Sequence, residues 1–495
     1  ASIFKKNYLS EIPVPIFGRI SSKNRKSPPP RHFRLLFCTN KDSPFSPAIL
    51  QGMQTTALRN EHIIVIGFPT WEGDYLKSTV QLVGELAKNN QVLYVEYPFT
   101  WKDVAWGKLG KSKAPWRRIL GKENRLRTLP LANGASVNVL TLPPMLPVNF
   151  IGNEQLYDAL MSSNARTAWR AIRSAQQELG FRKPVVINAF NPFLGVFLAR
   201  QFDEKALIYY CYVEISAAKW AGKHGGRLEQ RFMQQADAVI TSSQPLFSVK
   251  KNAARRSFLV KNGVDFDLFR QSPITNHQSP ITQIGYLGSL DERIDYDLLE
   301  QIITLLPHRQ FTFVGRVNSP SAERLRRFSN VKIMGSQSPE SLPGWVQQFD
   351  VCMIPFLKNE LTAGIYPLKI NEYFAAGKPV VTTRFGDLSD FRHLVSIADT
   401  PERFAAALEK ALENDQPGNG ERRVAFAHGN SWSARAAEMG VAISEVLAEN
   451  RLNMAADEPA WMPDNYNRWG ETSAGFFKGK AREAEVQVSP WLAAA

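Results

Sequence analysis

The 495-residue chain is 44% apolar with three cysteines: enough to bury two sizeable cores, and too few, too scattered thiols for a disulfide framework or a cysteine metal site. No window reaches the ~18 consecutive apolar residues of a membrane span, and no charged-then-apolar leader opens the chain, so the expected setting is cytoplasmic. The net charge of +14 is concentrated, because residues 1–36 hold eight Lys/Arg against Glu11 and residues 100–127 hold nine against Asp103 and Glu123.

Residues 1–60 lack periodicity, contain SPPPR, and read as an extension with little core of its own. A first domain is expected over 61–261. It opens with the strand HIIVIG at 62–67, the turn FPTWEGD, and a helix whose Leu76, Val80, Val83 and Ala87 keep helical spacing. Apolar runs at 91–98, 137–142, 184–190, 206–213, 237–243 and 257–262 then alternate with helical stretches such as 153–179 and 226–236. Short buried strands alternating with amphipathic helices predict parallel β/α units. Ligand loops in such sheets follow the strands, which nominates Gly67, Trp71, Gly73 and Glu214 as contacts on a ligand cleft.

Within this half, residues 100–127 interleave Trp101, Trp106 and Trp116 with the basic residues. That composition suits an interfacial segment on an anionic bilayer, where each basic residue contributes about 1 kcal/mol. Nucleic acid would attract the same charge, but no nucleic-acid motif accompanies it. A peripheral position at the inner face of a membrane is therefore expected.

The alternation restarts after Asn262 and the polar stretch QSPITNHQSP, giving a second domain over 262–430 with strands near 281–290, 309–317, 330–335, 350–356 and 378–383. A helix at 431–450 follows, and residues 451–495 show no clear pattern. The predicted class is α/β, with two tandem Rossmann-like, doubly wound domains facing a cleft.

Chemistry concentrates in NELTAGIYPLKINEYFAAGKPVVTT, residues 359–383. Pro367 suits the first turn of a helix, and Gly377 suits a left-handed cap before the strand VVTT. Lys369 and Glu372 are three residues apart and share a helix face. A lysine beside free helix N–H groups attracts an anion, and a carboxylate one turn on accepts hydrogen bonds from sugar hydroxyls. The pattern therefore fits a sugar carrying a phosphate or diphosphate.

Pro367, Lys369, Glu372, Tyr373, Ala375, Ala376, Gly377, Lys378, Pro379, Val380 and Val381 resemble the donor-binding segment of retaining GT-B glycosyltransferases of family 4 (glycosyl transferases group 1), particularly the teichuronic-acid and cell-surface polysaccharide branch. NGVDFDLF from Asn262 resembles the phrase opening that family's second domain, and the 431–450 helix its terminal crossing helix. The resemblance implies transfer of a sugar from a nucleotide-sugar donor to a lipid-linked or cell-surface glycan acceptor, with retention of configuration. It further implies front-face attack, with the donor phosphate receiving the acceptor proton. Lys369 and Arg293 would stabilise the departing diphosphate, and Glu372 would hold the ribose. Gly288, Gly315, Arg316, Thr362, Gly364, Ile365, Tyr366 and Pro367 would complete the donor site. The chain departs from the family at Gly364, where a first glutamate normally stands eight residues before Glu372. That departure keeps open a non-catalytic nucleotide-sugar or glycan-binding protein; a sugar-nucleotide epimerase is a further alternative, against which the shortage of matching carboxylates at the domain edge argues.

No cofactor or metal is expected. Asp265/Asp267 and Asp295/Asp297 form D-x-D pairs, one in the domain-opening phrase and one in a helical run. His62, His224 and His393 lack ligand spacing.

Overall fold

Runs of Val, Ile and Leu without polar alternation need cover on both faces, and the chain provides it by returning most strands through a helix. The computed structural model describes residues 58–72, 77–217, 221, 223–270 and 282–456.

The first sheet contains β1 (His62–Ile66), β2 (Gln91–Val95), β3 (Leu126–Pro130), β4 (Ser136–Leu140), β5 (Val185–Ala189), β6 (Ala206–Cys211), β7 (Ala238–Thr241) and β8 (Ser257–Leu259). Their order is β3-β4-β2-β1-β5-β6-β7-β8, and every neighbouring pair is parallel except β3 with β4. The direction of winding reverses between β1 and β5, which register Ile64 against Val186. The second sheet contains β9 (Gln283–Leu287), β10 (Gln310–Val314), β11 (Val331–Ile333), β12 (Val351–Ile354), β13 (Val380–Thr382) and β14 (Val395–Ile397). It runs β11-β10-β9-β12-β13-β14, all parallel, and reverses between β9 and β12.

The strands that pattern reading missed, β3 and β14, both lie at sheet edges. Edge strands are half solvated, so Arg127, Pro130 and Ser396 are tolerated there. The helix after β1 spans Ser78–Leu86 and buries Thr79, Leu82, Val83 and Leu86. Val80, expected on that face, is half-buried, and Leu76 lies outside the described residues. Cys211 and Cys352 are buried thiols on β6 and β12.

The last described helix, Trp432–Ala456, starts beside the second sheet's flank and packs on the first. Val264 donates to the Asn430 carbonyl at 3.0 Å and accepts from Trp432 N–H at 3.0 Å. Beyond that point Trp432, Met439, Ile443 and Val446 join the core of Leu82, Leu86 and Val92. Leu58 enters the same core with 7% exposure. Two further links tie the halves together: Ser243 Oγ donates to Gly364 O at 3.0 Å, and Lys261 pairs with Asp390 at 2.5 Å. No helix among the described residues is long and apolar enough to cross a membrane.

Candidate functional site

The segment singled out in the sequence forms the helix Leu368–Ala375. Ile370, Tyr373, Phe374 and Ala375 face the core, leaving Lys369 and Glu372 on the opposite side. Pro367 is the N-cap residue rather than the first helical one, a position where its lacking N–H costs nothing. Tyr373 fixes the helix to the sheet: its fully buried hydroxyl accepts from Leu287 N–H at 2.8 Å. The far end is held by Arg423, which donates to Gly377 O from Nε at 2.9 Å and Nη2 at 2.7 Å. Gly377 takes φ +75°, the left-handed cap that its glycine announced.

Above this helix, the turns after β9 and β10 close on each other. Gly288 has φ +145° and Gly315 φ +151°, conformations open to glycine alone. A Cβ on Gly315 would collide with the Gly288 carbonyl, and a Cβ on Gly288 would stand 2.5 Å from Lys369 Nζ. Glycine at both positions lets backbone and ammonium converge on a cavity of about 370 Å³. Lys369, Glu372, Arg293, Arg316, Gly288 and Gly315 all line it.

Arg293 is held in place. Asp291 takes its guanidinium through two hydrogen bonds, Nε at 2.8 Å and Nη2 at 2.6 Å, and the ring of Phe356 lies 5.4 Å from it. Burial works against the Arg293 charge, but the Asp291 carboxylate outweighs it and raises the pKa. Lys369 has no such partner among the described residues. Its Nζ lies 5.9 Å from the Tyr286 ring centre, and desolvation pulls its pKa below the usual lysine value, with Glu372 opposing and Arg293 assisting. Desolvation likewise raises Glu372, which Lys369 only partly offsets. Both groups are thus under-stabilised as ions, a condition that an anionic, hydroxyl-bearing ligand would relieve.

Other expected contacts fall elsewhere. Thr362 is fully buried: its Oγ1 donates to Leu357 O at 2.5 Å and accepts from Asn359 N–H at 3.1 Å, the latter capping the short helix Glu360–Ala363. Gly364 gives its carbonyl to Ser243, and Tyr366 packs on Phe391. With Ile365 and Pro367, these residues stand outside the cavity lining, because the turn points its side chains into the core or toward the first sheet. In the first half, Gly67 leaves space for the Tyr94 ring, and Trp71 stacks edge-on against that ring at 5.0 Å. Glu214 accepts from Lys250 at 3.0 Å, which lowers its pKa against the opposing effect of burial. Gly73 lies outside the described residues.

Sequence reading passed over Asn318, Ser336 and Gln337, which line the same cavity. Their signal was available, since Ser336 and Gln337 follow β11 at its carboxyl end. It also passed over a larger cavity of about 460 Å³ beyond β1 and β5, lined by Phe68, Tyr97, Asn191 and Phe193 among others. Among the described residues, no group of three or more His, Cys, Asp or Glu is placed to hold a metal ion.

The two doubly wound sheets and the crossing helix are the GT-B plan. Over 79% of this chain the structure resembles the whole of sucrose-phosphate synthase from Thermosynechococcus elongatus, with a TM-score of 0.56 at 17% identity. Over 81% it resembles the whole of an alpha,alpha-trehalose 6-phosphate synthase from Burkholderia multivorans, with a TM-score of 0.55 at 11% identity. Residues 281–414 match the family model for glycosyl transferases group 1. The chain is also similar to the putative teichuronic acid biosynthesis glycosyltransferase TuaH of Bacillus subtilis (strain 168), 29% identical over 226 residues. That match covers 41% of this chain and 56% of TuaH, a little over half of that relative.

Proposed function

We propose that this protein is a glycosyltransferase that moves a sugar from a nucleotide-sugar donor to a lipid-linked or cell-surface glycan acceptor, with retention of configuration. The observation that carries the reading is the convergence of Lys369, Glu372 and the Asp291-held Arg293 on one cavity beside the Gly288/Gly315 turns, inside the segment that matches the family model. In this reading the donor diphosphate lies against Lys369, Arg293 and the glycine backbone, and Glu372 accepts from the ribose. As the bond from sugar to diphosphate breaks, negative charge grows on the leaving oxygens. Arg293 is held by Asp291 before that charge develops, and the attraction of both cations grows with the charge, so it is strongest in the transition state. The acceptor hydroxyl attacks from the same face, and the donor phosphate takes its proton, so the site needs no separate base. No metal is assigned to the reaction.

Thermal melting with UDP, GDP, ADP and their sugars tests this. A ligand at 100 times its Kd should add about 2.7 kcal/mol of stability, and hydrolysis or transfer of the stabilising sugar should follow. Failure of every nucleotide to stabilise the folded protein would overturn the reading. Gly364 favours a second one: no carboxylate stands there, and Thr362 is buried, so a protein that binds a nucleotide sugar without transferring it would show stabilisation and no turnover.

A further inference from the structure

The larger cavity sits outside the carboxyl ends of β1, β2 and β5, where the first sheet reverses its winding. That is where doubly wound sheets bind ligands. Its polar side chains are largely committed to the protein itself. Asn164 accepts from Leu146 N–H at 2.8 Å and donates to Leu146 O at 3.0 Å. Asn191 accepts from Leu194 N–H, and Asp103 accepts from Thr100 N–H at 2.7 Å. Phe68, Met145, Val148, Met161, Phe193 and Leu194 supply much of the remaining wall, so the occupant is selected by apolar fit.

The mouth continues this character onto the surface. Trp106, Leu146 and Phe150 line it and are 46%, 40% and 82% exposed. The helix Trp101–Lys108 contributes Trp106 together with Lys102, whose Nζ lies 4.4 Å from the Trp106 ring centre. Lys102 lines the cavity, and Lys108, Lys111 and Lys122 are exposed on the same basic segment. An apolar slot with an exposed apolar lip and a lysine at its mouth fits a hydrocarbon chain that ends in an anionic head.

We infer that this cavity holds the hydrocarbon chain of a lipid-phosphate acceptor drawn from a membrane, with its phosphate beside Lys102. The inference rests on the transferase reading for the word acceptor; the cavity and its charge stand independently of it.

The test is calorimetric titration of the full chain with decyl, dodecyl and tetradecyl phosphate below their critical micelle concentrations. Affinity should rise by about fourfold per methylene until the cavity is filled. Leu146→Asp and Phe150→Ser, both at exposed positions, should weaken dodecyl phosphate at least tenfold without changing the melting temperature. Lys102→Gln should weaken dodecyl phosphate but not an uncharged dodecyl glycoside. Affinity independent of chain length, or unmoved by Leu146→Asp, would overturn the proposal. So would binding to anionic vesicles with none to monomeric alkyl phosphates. Nucleoside diphosphate binding is measured on the same samples: its loss alone counts against the transferase reading, whereas its presence without chain-length dependence counts against the cavity.

Discussion

Gly288 and Lys369 compete for one space: a Cβ on the first would stand 2.5 Å from Nζ of the second. The glycine is therefore part of how the ammonium reaches the cavity. Gly288→Ala should displace Lys369 and weaken nucleoside diphosphate binding about as much as Lys369→Ala does, roughly 1.5–3 kcal/mol for a lost charged hydrogen-bond partner. The two losses should not add, since both remove the same contact. Fully additive losses in a double-mutant cycle would show that Gly288 acts on its own, through strain at φ +145°.

Lys369 and Glu372 should separate the parts of the ligand. Lys369→Ala should reduce affinity for the diphosphate far more than for the nucleoside, while Glu372→Ala should reduce both because its partner is the ribose. Titration of each variant with nucleoside, monophosphate and diphosphate checks this. Unchanged diphosphate affinity in folded Lys369→Ala protein would remove Lys369 from the site.

The depressed Lys369 pKa fixes a pH dependence. In the free protein the lysine loses its proton below its usual 10.5, and a bound diphosphate restores it. Affinity should therefore fall as pH rises through the depressed value, with proton uptake visible as a buffer-dependent binding enthalpy. Lys369→Arg should flatten the profile, since guanidinium stays charged. For stability the signs run oppositely for the two groups. The folded state binds Lys369's proton less tightly than the unfolded chain, so ligand-free stability gains as pH climbs from the depressed value toward 10.5. Glu372 is raised above 4.5, so its contribution is present below 4.5 and is lost as pH rises through the higher folded value. Lys369→Met should accordingly raise the melting temperature at neutral pH by roughly 1–3 °C while abolishing diphosphate binding.

What the sequence revealed, and what it hid, follows from how local each signal is. Central strands are apolar because both faces are covered, so β1, β5, β6, β9 and β12 stood out; β3 and β14, half solvated at the edges, did not. Lys369, Glu372 and Gly377 were legible because one helix carries them at fixed spacing. Arg293 and the two glycines were legible as residues following strands. The local text did not show that Gly315 must lack a Cβ because of Gly288, or that Tyr373 anchors the helix to Leu287. Those are contacts between distant segments. The turn 362–366 lies next to the site in sequence, yet its residues do not line that cavity, so any contribution to the donor would come from its backbone. The first-half cavity escaped because its walls come from several separate segments, each ordinary alone.

Donor binding and transfer should survive excess EDTA. Asp265 is raised above the usual carboxylate range, first by burial, and it accepts from Leu268 N–H at 3.1 Å. Asp295 caps the helix Tyr296–Leu305 by accepting from Leu298 N–H at 3.0 Å. One member of each D-x-D pair thus already serves a helix start. Activity that vanishes with chelator and returns with Mg²⁺ or Mn²⁺ would contradict the metal-free reading.

The basic segment should bind anionic vesicles in a salt-sensitive manner. Of its nine cations, Arg117 pairs with Glu123 at 2.7 Å, and Arg127 and Arg118 with Glu72 at 3.0 and 3.8 Å, so these three are partly spent within the fold. Lys102, Lys108, Lys111 and Lys122 are exposed, and Trp101 and Trp106 stand half exposed beside them. Charge attraction acts within a Debye length of about 8 Å at physiological salt, and the tryptophans add interfacial burial. Replacing the four lysines by glutamine should release the protein at low salt, with a loss of about 1 kcal/mol for each lysine near the surface. Nucleotide binding should remain intact, because that cavity belongs to the second sheet. Residues 1–36 carry equal positive charge, so vesicle flotation must also be run on protein beginning near Glu61. If the shortened protein prefers anionic over neutral vesicles no more than its lysine variant does, the segment does not dock on membranes. Trp101 and Trp106 would then stand as platforms for the acceptor sugar.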